Sequence, residues 1–442
     1  MAETHKYLQY LQALKYPFKK LTKLEFLQPD GSVAFFLSNN SKRGYNQKYQ
    51  SSAFIQGGTL NVSLQNGQRR KATITLSNLD NAFDYNVNNI WFGTQLRLSM
   101  GLVLPDGTDF YLPQMVGVIK NPQSVFSENQ KTITFPIVDK WANLDGSLGG
   151  TLPKPVSIPV TTEEEAGQNA LYKWIYGLLH LSKFDLNQTD DITKAIDPTP
   201  PILPTYYLGQ TWDSTKSDGS VRTIYVTDIP FPYTENCGGN IGSLLSQLNE
   251  QIIGLIGYDA AGALKIEPSQ SDIDDYQKAV LWNFTPKNCN LSQISETLKN
   301  DAVYNDIVIV GGGNSQVGVW GRASNYDPAS DTNINLIGIK TQCETRANFF
   351  NAKQCTDFAQ YRLNQKTVLQ KSVNISCSQM FHLIENQLVT VQRTDKPGSP
   401  TERHLINSFS LPLSETGAMT INATSVADIP KFTLNAYIEG GA

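Results

Sequence analysis

Two runs of alternating apolar and polar residues, Thr59 to Leu64 and Lys71 to Leu76, stand on either side of Asn66-Gly67. A period of two buries one face of each run and wets the other, and Asn-Gly is the dipeptide that best closes a tight hairpin. The same punctuation recurs. Leu24 to Leu27 and Val33 to Leu37 flank Pro29-Asp30-Gly31, and Leu102 to Leu104 and Phe110 to Leu112 flank Pro105-Asp106-Gly107. Both read as hairpins. A short helix is expected ahead of them over residues 3 to 14, with Leu8, Leu11 and Leu14 on one face and Pro17 as its stop.

The middle of the chain changes period. Thr161-Thr162-Glu163-Glu164-Glu165 supplies a cap and acidic first-turn residues before Ala166 to Leu181, where Ala170, Leu171, Trp174, Leu178 and Leu181 recur at helical spacing. Residues 186 to 205 form a Pro- and Asp-rich connector. Ile241 to Ile256 is expected as a second helix through Leu244, Leu245, Leu248, Ile252 and Leu255, followed by the turn Tyr258 to Gly262 and a strand from Leu264 to Ile266. Asp301 to Val310 reads as a strand running into Gly311-Gly312-Gly313. Glu344 to Leu363 reads as a helix with Phe350, Phe358, Ala359 and Leu363 inward. Four short strands close the chain: Lys371 to Cys377, Leu388 to Gln392, His404 to Ser410 and Met419 to Thr424.

At 442 residues the chain is too long for one ordinary core, and usual domain sizes give about two to four units. The expected division is 1–155 for the helix and first β-region, 156–300 for α+β middle domains with a connector near 186–240, and 301–442 for a second β-region that includes helix 344–363. The fold class is α+β and β-rich, with a β-barrel-like domain at each end and smaller α+β domains inserted between them.

The two end regions echo each other. Lys71 to Ser77 leads to Gly93 to Leu98, as Lys371 to Cys377 leads to Glu385 to Val391. Val118-Ile119 approaches Pro122 and then Ser127 to Thr134, as Phe409 to Leu411 approaches Pro412 and then Ser414 to Ile421. Antiparallel β-domains share alternation and polar turns by necessity, so the echo fits either that common grammar or a true duplication.

Only 17% of residues are charged, so the surface must be carried largely by Asn, Gln, Ser and Thr. A net charge of −4 gathers neither phosphate backbones nor anionic lipid, and nucleic acid is not expected as a specific partner. The N-terminus has no basic segment followed by an apolar one, and no stretch reaches the ~18 apolar residues of a membrane span. Synthesis in a cytoplasm follows as the expectation. Five widely spaced cysteines, Cys237, Cys289, Cys343, Cys355 and Cys377, contain no C-x-x-C and read as free thiols, mostly buried.

The residues that could carry chemistry have simpler explanations. Gly311 to Gly313 lacks dinucleotide spacing and reads as a turn or bulge. Asp272, Asp274 and Asp275 lack the glycine of a calcium loop and read as a solvated turn. His5, His180, His382 and His404 lie far apart, with His180 near a helix C-terminus where a cation is favourable. Cys377 and His382 suggest a thiol–imidazole pair, but a structural role is the simpler reading. Glu163 to Glu165 are helix-start acids rather than glycosidase carboxylates. The expectation is therefore no catalytic residue, no metal site and no cofactor.

Several strings resemble the tail hub (baseplate hub) family of tailed bacteriophages, which includes the N-terminal hub part of siphophage tail-tip proteins. They are Phe54 to Leu60, Ala72 to Asp80 and Trp91-Phe92-Gly93; Ile256 to Asp259, Leu264 to Gln270, Asp272 to Asp275 and Val280 to Phe284; and Cys355 to Leu363, Val373 to Cys377, His382-Leu383, Ile406 to Leu413 and Thr416 to Thr420. They are packing and turn patterns, specific only in combination. The resemblance implies tail-tube-like end domains and a homotrimer at the virion tail tip that adapts a six-fold tube to a three-fold tip and plugs or gates it. Implied neighbours are the distal tail or tail tube protein, the C-terminus of the tape-measure protein, and a spike or fibre. The long C-terminal extension of many relatives has no counterpart after Ala442, which points to a hub alone. The alternative is a tail-tip peptidoglycan hydrolase (endopeptidase) or receptor-binding module.

Overall fold

Turn chemistry sets the first β-region. The computed structural model describes residues 2–39, 55–79, 81–84, 87, 90, 93–128, 130–168, 170–182, 211–215, 219–225, 227–251, 254–268, 276–285, 291–298, 300–312, 318–346, 349, 352–367, 371–392, 401–414, 416–426 and 436–441. After helix α1 (Ala2–Ala13), β1 (Lys20–Leu27) and β2 (Val33–Ser38) pair antiparallel around Pro29-Asp30-Gly31. β3 (Ile55–Ser63) and β4 (Arg70–Ser77) pair around Asn66-Gly67, and β5 (Gln95–Val103) and β6 (Asp109–Ile119) around Pro105-Asp106-Gly107. In both Pro-Asp-Gly turns the aspartate closes the bend: Asp30 accepts from Ser32, and Asp106 from Thr108, through backbone N–H and hydroxyl alike. β7 (Gln123–Ser127) and β8 (Gln130–Asp139) complete this region.

The middle holds β9 (Val156–Ile158), α2 (Ala170–Ser182), β10 (Thr211–Thr215), β11 (Val221–Tyr225), β12 (Tyr233–Glu235), α3 (Ile241–Gln251), β13 (Gly254–Tyr258) and β14 (Leu264–Pro268). Two expectations shift here. The helix expected from Ala166 starts at Ala170: Thr162 donates to the Glu165 carboxylate in a turn of its own, and Gly167 sits at φ +73° with its N–H on Asp228. The helix expected to reach Ile256 ends at Gln251, because Leu255 and Ile256 pair with Glu267 and Ile266 instead. A short apolar run fits both periods, and the turn at Asp259, whose carboxylate accepts from Ala261 and Ala263 N–H, decides for the hairpin.

The last third holds β15 (Val280–Phe284), β16 (Leu291–Leu298), β17 (Asp306–Gly311), β18 (Trp320–Asn325), β19 (Thr341–Arg346), α4 (Ala352–Lys366), β20 (Lys371–Cys377), β21 (Leu388–Val391), β22 (Glu402–Pro412), β23 (Met419–Ser425) and β24 (Ala436–Gly441). The strand expected over 301–310 starts at Asp306. The helix expected over 344–363 starts at Ala352, since Thr341 to Arg346 is drawn into parallel pairing with β17. Phe358, Ala359 and Leu363 are inward as expected, packed on the sheet β19-β17-β18-β24, whereas Ile252 and Phe350 lie outside the described residues.

One fourteen-stranded sheet takes in strands from both end regions, while β19-β17-β18-β24 form a sheet of their own. Its first six-strand path is β3-β4-β8-β6-β5-β1, antiparallel throughout. Its second is β16-β20-β23-β22-β21-β15, antiparallel except for the β15–β21 pair. Taken in chain order, the matching strands are β1 and β15, β3 and β16, β4 and β20, β5 and β21, β6 and β22, β8 and β23. The echo read from the sequence is thus a repeated strand order, with three differences. β15 runs parallel to β21, whereas β1 runs antiparallel to β5. The β17–β19 sheet and α4 are inserted between β16 and β20, where the first module has only the Asn66-Gly67 turn. The register also moves by one: core residues Ile74 and Phe135 match Ile375 and Ile421, whereas matching Lys71 to Lys371 would put core against water.

The modules meet where the second half of β22 pairs with β3, Ser408 opposite Ser63 through Pro412 opposite Thr59. The end regions therefore share one sheet and one core, which runs from Leu60, Ile74 and Phe135 to Val373, Ile421 and Leu411. Among the described residues no ladder joins β2 back to β16. A second core unites α2, α3, β13, β17 and α4.

Candidate functional site

Period-two strands that bury Leu60, Val62, Ile375, Phe409 and Ile421 must turn their alternate residues outward. Register aligns those residues into rows. One row runs Ser295, Asn374, Asn422, Ser408, Ser63 across five strands; the next runs Gln293, Ser376, Thr420, Ser410, Asn61 and ends at Lys71. A shallow depression of about 420 Å³ lies over the β3–β22 junction, lined by members of both rows. Amides and hydroxyls make up these rows, with Lys71 as their one charge. Such a face is wetted with a single charge at its end, and this is the polar, weakly charged surface that the composition calls for.

Beneath one end of this sheet lies a buried joint that the sequence does not reveal. Arg70, 1% exposed, pairs with Glu385 and donates to the Gln114 carbonyl at 2.8 Å. Arg69 pairs with Glu267, which also accepts from Asn386 at 2.9 Å. Asp139 accepts from the backbone N–H of Arg69, Arg70 and Trp141 at 2.7, 2.8 and 3.1 Å. Burial nonetheless pushes its carboxyl up to about 6, because three N–H donors only partly replace water. The Asn66-Gly67 turn docks here as well. Gly67 donates to the Ile256 carbonyl, Asn66 accepts from Ile256 N–H, and the Gly67 Cα faces the Trp141 ring so closely that a Cβ would sit 2.8 Å from its Nε1. The joint thereby fixes the middle region on the first module. Its members lie near positions 69, 139, 267 and 385, too far apart for any local motif.

The sequence candidates fall in separate places. Gly311 ends β17, where an added Cβ would meet Val319 and the Phe349 carbonyl at 2.5 and 2.7 Å, so close packing explains it. Gly312 donates to the Arg346 carbonyl; Gly313 lies outside the described residues, as do Asp272, Asp274, Asp275, Cys289 and the connector 186–205. His5 is exposed on α1, and His180 lies in α2 with its side chain outside the described residues. His382 Nδ1 stands 3.0 Å from the Tyr10 hydroxyl, which also accepts from Phe381 N–H at 2.9 Å. Burial pushes His382 down to about 4 and Cys377 up to about 12, the reverse of a thiolate–imidazolium pair. His404 is buried on β22 beside Glu402 at 3.5 Å, and burial lowers it too. Glu165 accepts from Thr162, and Glu163 and Glu164 are exposed. Among the described residues no group of three His, Cys, Asp or Glu converges as a metal ion would need, and no helix is long and apolar enough to cross a membrane.

No family model and no curated protein matches this sequence. Solved structures do match its fold. The chain is similar to the 43 kDa tail protein of prophage MuSo2 from Shewanella oneidensis, at 13% identity and a TM-score of 0.50, over 92% of this chain and 98% of that one. It is also similar to the tail protein from Neisseria meningitidis MC58, at 9% identity and a TM-score of 0.52, over 93% and 98%. The fold is that of bacteriophage tail proteins, in line with the resemblance read from the sequence.

Proposed function

We propose that this chain is a structural, non-enzymatic subunit of a bacteriophage tail and works there as a trimeric hub at the tail tip. The observation that carries the reading is the repeated six-strand order within one chain. Two like modules in each of three copies present six near-equivalent units, which is how a three-fold object seats on a six-fold tube. In this reading each module is the barrel-like, tail-tube-like unit. The division is 1–155, 156–300 and 301–442, with β15 and β16 lent by the middle segment to the second module and β17 and α4 packed into the core of the middle segment. The hub stands between the distal tail or tube protein and a spike or fibre, meets the end of the tape-measure protein, and plugs or gates the tail end. The amides and hydroxyls over the β3–β22 junction suit the wall of a wet passage, since they carry no charge to attract or repel a polyanion. Mass measurement of the purified chain and of tail particles is the test. Three copies per assembly is the expected result, and a strict monomer in both settings overturns the reading.

A further inference from the structure

The junction that fuses the two modules within the chain has a counterpart at two of the strand edges that the sheet leaves open. Inside the chain, the second half of β22 carries β3 on its outer edge: Ser410 faces Asn61, Leu411 faces Leu60 and Pro412 faces Thr59. Ladder register carries that half of β22 onto β7, since Ser410 stands opposite Thr420 as Gln123 stands opposite Thr134, each one step from the matched core pair Ile421 and Phe135. The bulge between Ile406 and Ser408 in β22 becomes, in the first module, the break between β6 and β7, where Asn121 has φ +50°. The same registers carry β3 onto β16, because Leu60 faces Ala72 as Glu296 faces Val373.

Among the described residues, β7 and β16 thus lack the partner that β22 and β3 give each other. Among the described residues, β7 pairs with β8 alone and β16 with β20 alone. Both are open to solvent. Gln123 to Ser127 is exposed throughout, with Phe126 at 79%, and on β16 Ser295, Thr297 and Leu298 are exposed, Leu298 at 54%. Exposed apolar side chains on an open strand edge mark a surface that another strand covers.

We infer that β7 of one copy pairs antiparallel with β16 of a second copy, with Gln123 opposite Thr297, Ser124 opposite Glu296 and Val125 opposite Ser295. The occupant is a second copy because the chain already makes this junction once with itself, strand for strand. The contact is heterologous, so three copies close into a ring of six junctions, three within chains and three between them. The outward rows then continue across the boundary, Thr75, Thr134 and Gln123 meeting Thr297, Ser372 and Thr424. This rests on the trimeric reading above and adds to it the strands and their register.

The test is a disulfide trap in the full chain with Cys237, Cys289 and Cys343 changed to serine. Gln123→Cys with Thr297→Cys, oxidised and run without reductant, is expected to give covalent species of two and three chain masses and none higher. Each single variant stays at one chain mass. Asn61→Cys with Ser410→Cys, the matching pair inside the chain, crosslinks without change of mass and shows that facing residues of this sheet oxidise. As a second measurement, Gln123→Lys with Thr297→Lys should raise the concentration at which trimers dissociate at least tenfold, and Gln123→Lys with Thr297→Glu should restore it. A trimer that forms but gives no crosslink and ignores these charges overturns the junction and leaves the hub reading standing. A ladder beyond three also overturns it, as the contact then fails to close. A chain that is monomeric alone and in tail particles overturns both.

Discussion

Arg70 and Lys371 occupy the same place in the two modules, the first residue of β4 and of β20. Their backbone N–H groups are even bound alike, at 2.8 Å to the Asp139 carboxylate and to the Ser425 hydroxyl, each at the end of the neighbouring strand. Their side chains live differently. Arg70 and Glu385 are sealed, with side chains 2% and 5% exposed, beneath the joint with the middle region; Lys371 and Glu402 form their pair at 34% and 30% exposure. Strand order repeats because backbone ladders and an alternating core suffice to build it. What packs over each corner then sets the electrostatics.

The largest test of that contrast is removal of each cation. Arg70→Ala is expected to cost about 3–5 kcal/mol, since it leaves Glu385 charged and buried without its partner. Lys371→Ala should cost only about 0–1 kcal/mol, because water screens the half-open pair. Urea denaturation measures both, and equal losses would break the comparison.

Where the modules are alike, the losses should match. Ile74→Ala and Ile375→Ala, both in fully buried positions, should each cost about 2–5 kcal/mol and agree within about 1 kcal/mol. Disagreement well beyond that would mean that the repeated order hides unlike cores.

Titration separates the modules further. Asp139 is held up to about 6 by burial, so the folded chain keeps a proton that the unfolded chain releases near pH 4. Its contribution to stability is greatest below pH 4 and is lost as pH rises through 6. His382, pushed down to about 4 by burial, acts in the opposite sense: the unfolded chain binds a proton below about 6.5 that the folded chain refuses, so stability falls as pH drops toward 4. Between pH 4 and 6, Asp139→Asn should therefore make stability rise more steeply with pH, and His382→Gln should make it rise less. Thermal denaturation across that range reads the two slopes; unchanged slopes would place both groups in ordinary solvent. The smallest effect belongs to the outward rows, where Asn61→Ala and Asn422→Ala should each change stability by less than about 0.5 kcal/mol.

Much of the sheet is legible from local signals. Pro-Asp-Gly and Asn-Gly mark their hairpins, the four closing strands fall where alternation puts them, and the scarcity of charge foretells the amide and hydroxyl rows. Ambiguity enters where a run is short and apolar: Leu255 and Ile256 satisfy a helix and a strand equally, and Thr341 to Arg346 becomes a strand only because β17 lies beside it.

By itself, then, the sequence determined which segments turn and which faces are wet, because those properties depend on neighbours a few residues away; it showed the echo of the two ends without deciding between common grammar and repetition. Only the tertiary structure decided that β22 reaches across to β3, that the repeat is offset by one residue, and that Arg69, Arg70, Asp139, Glu267 and Glu385 converge. Partners for a strand edge or a buried charge come from positions hundreds of residues apart. No local pattern encodes them, and the cost of leaving them unpaired is felt only once the chain has folded.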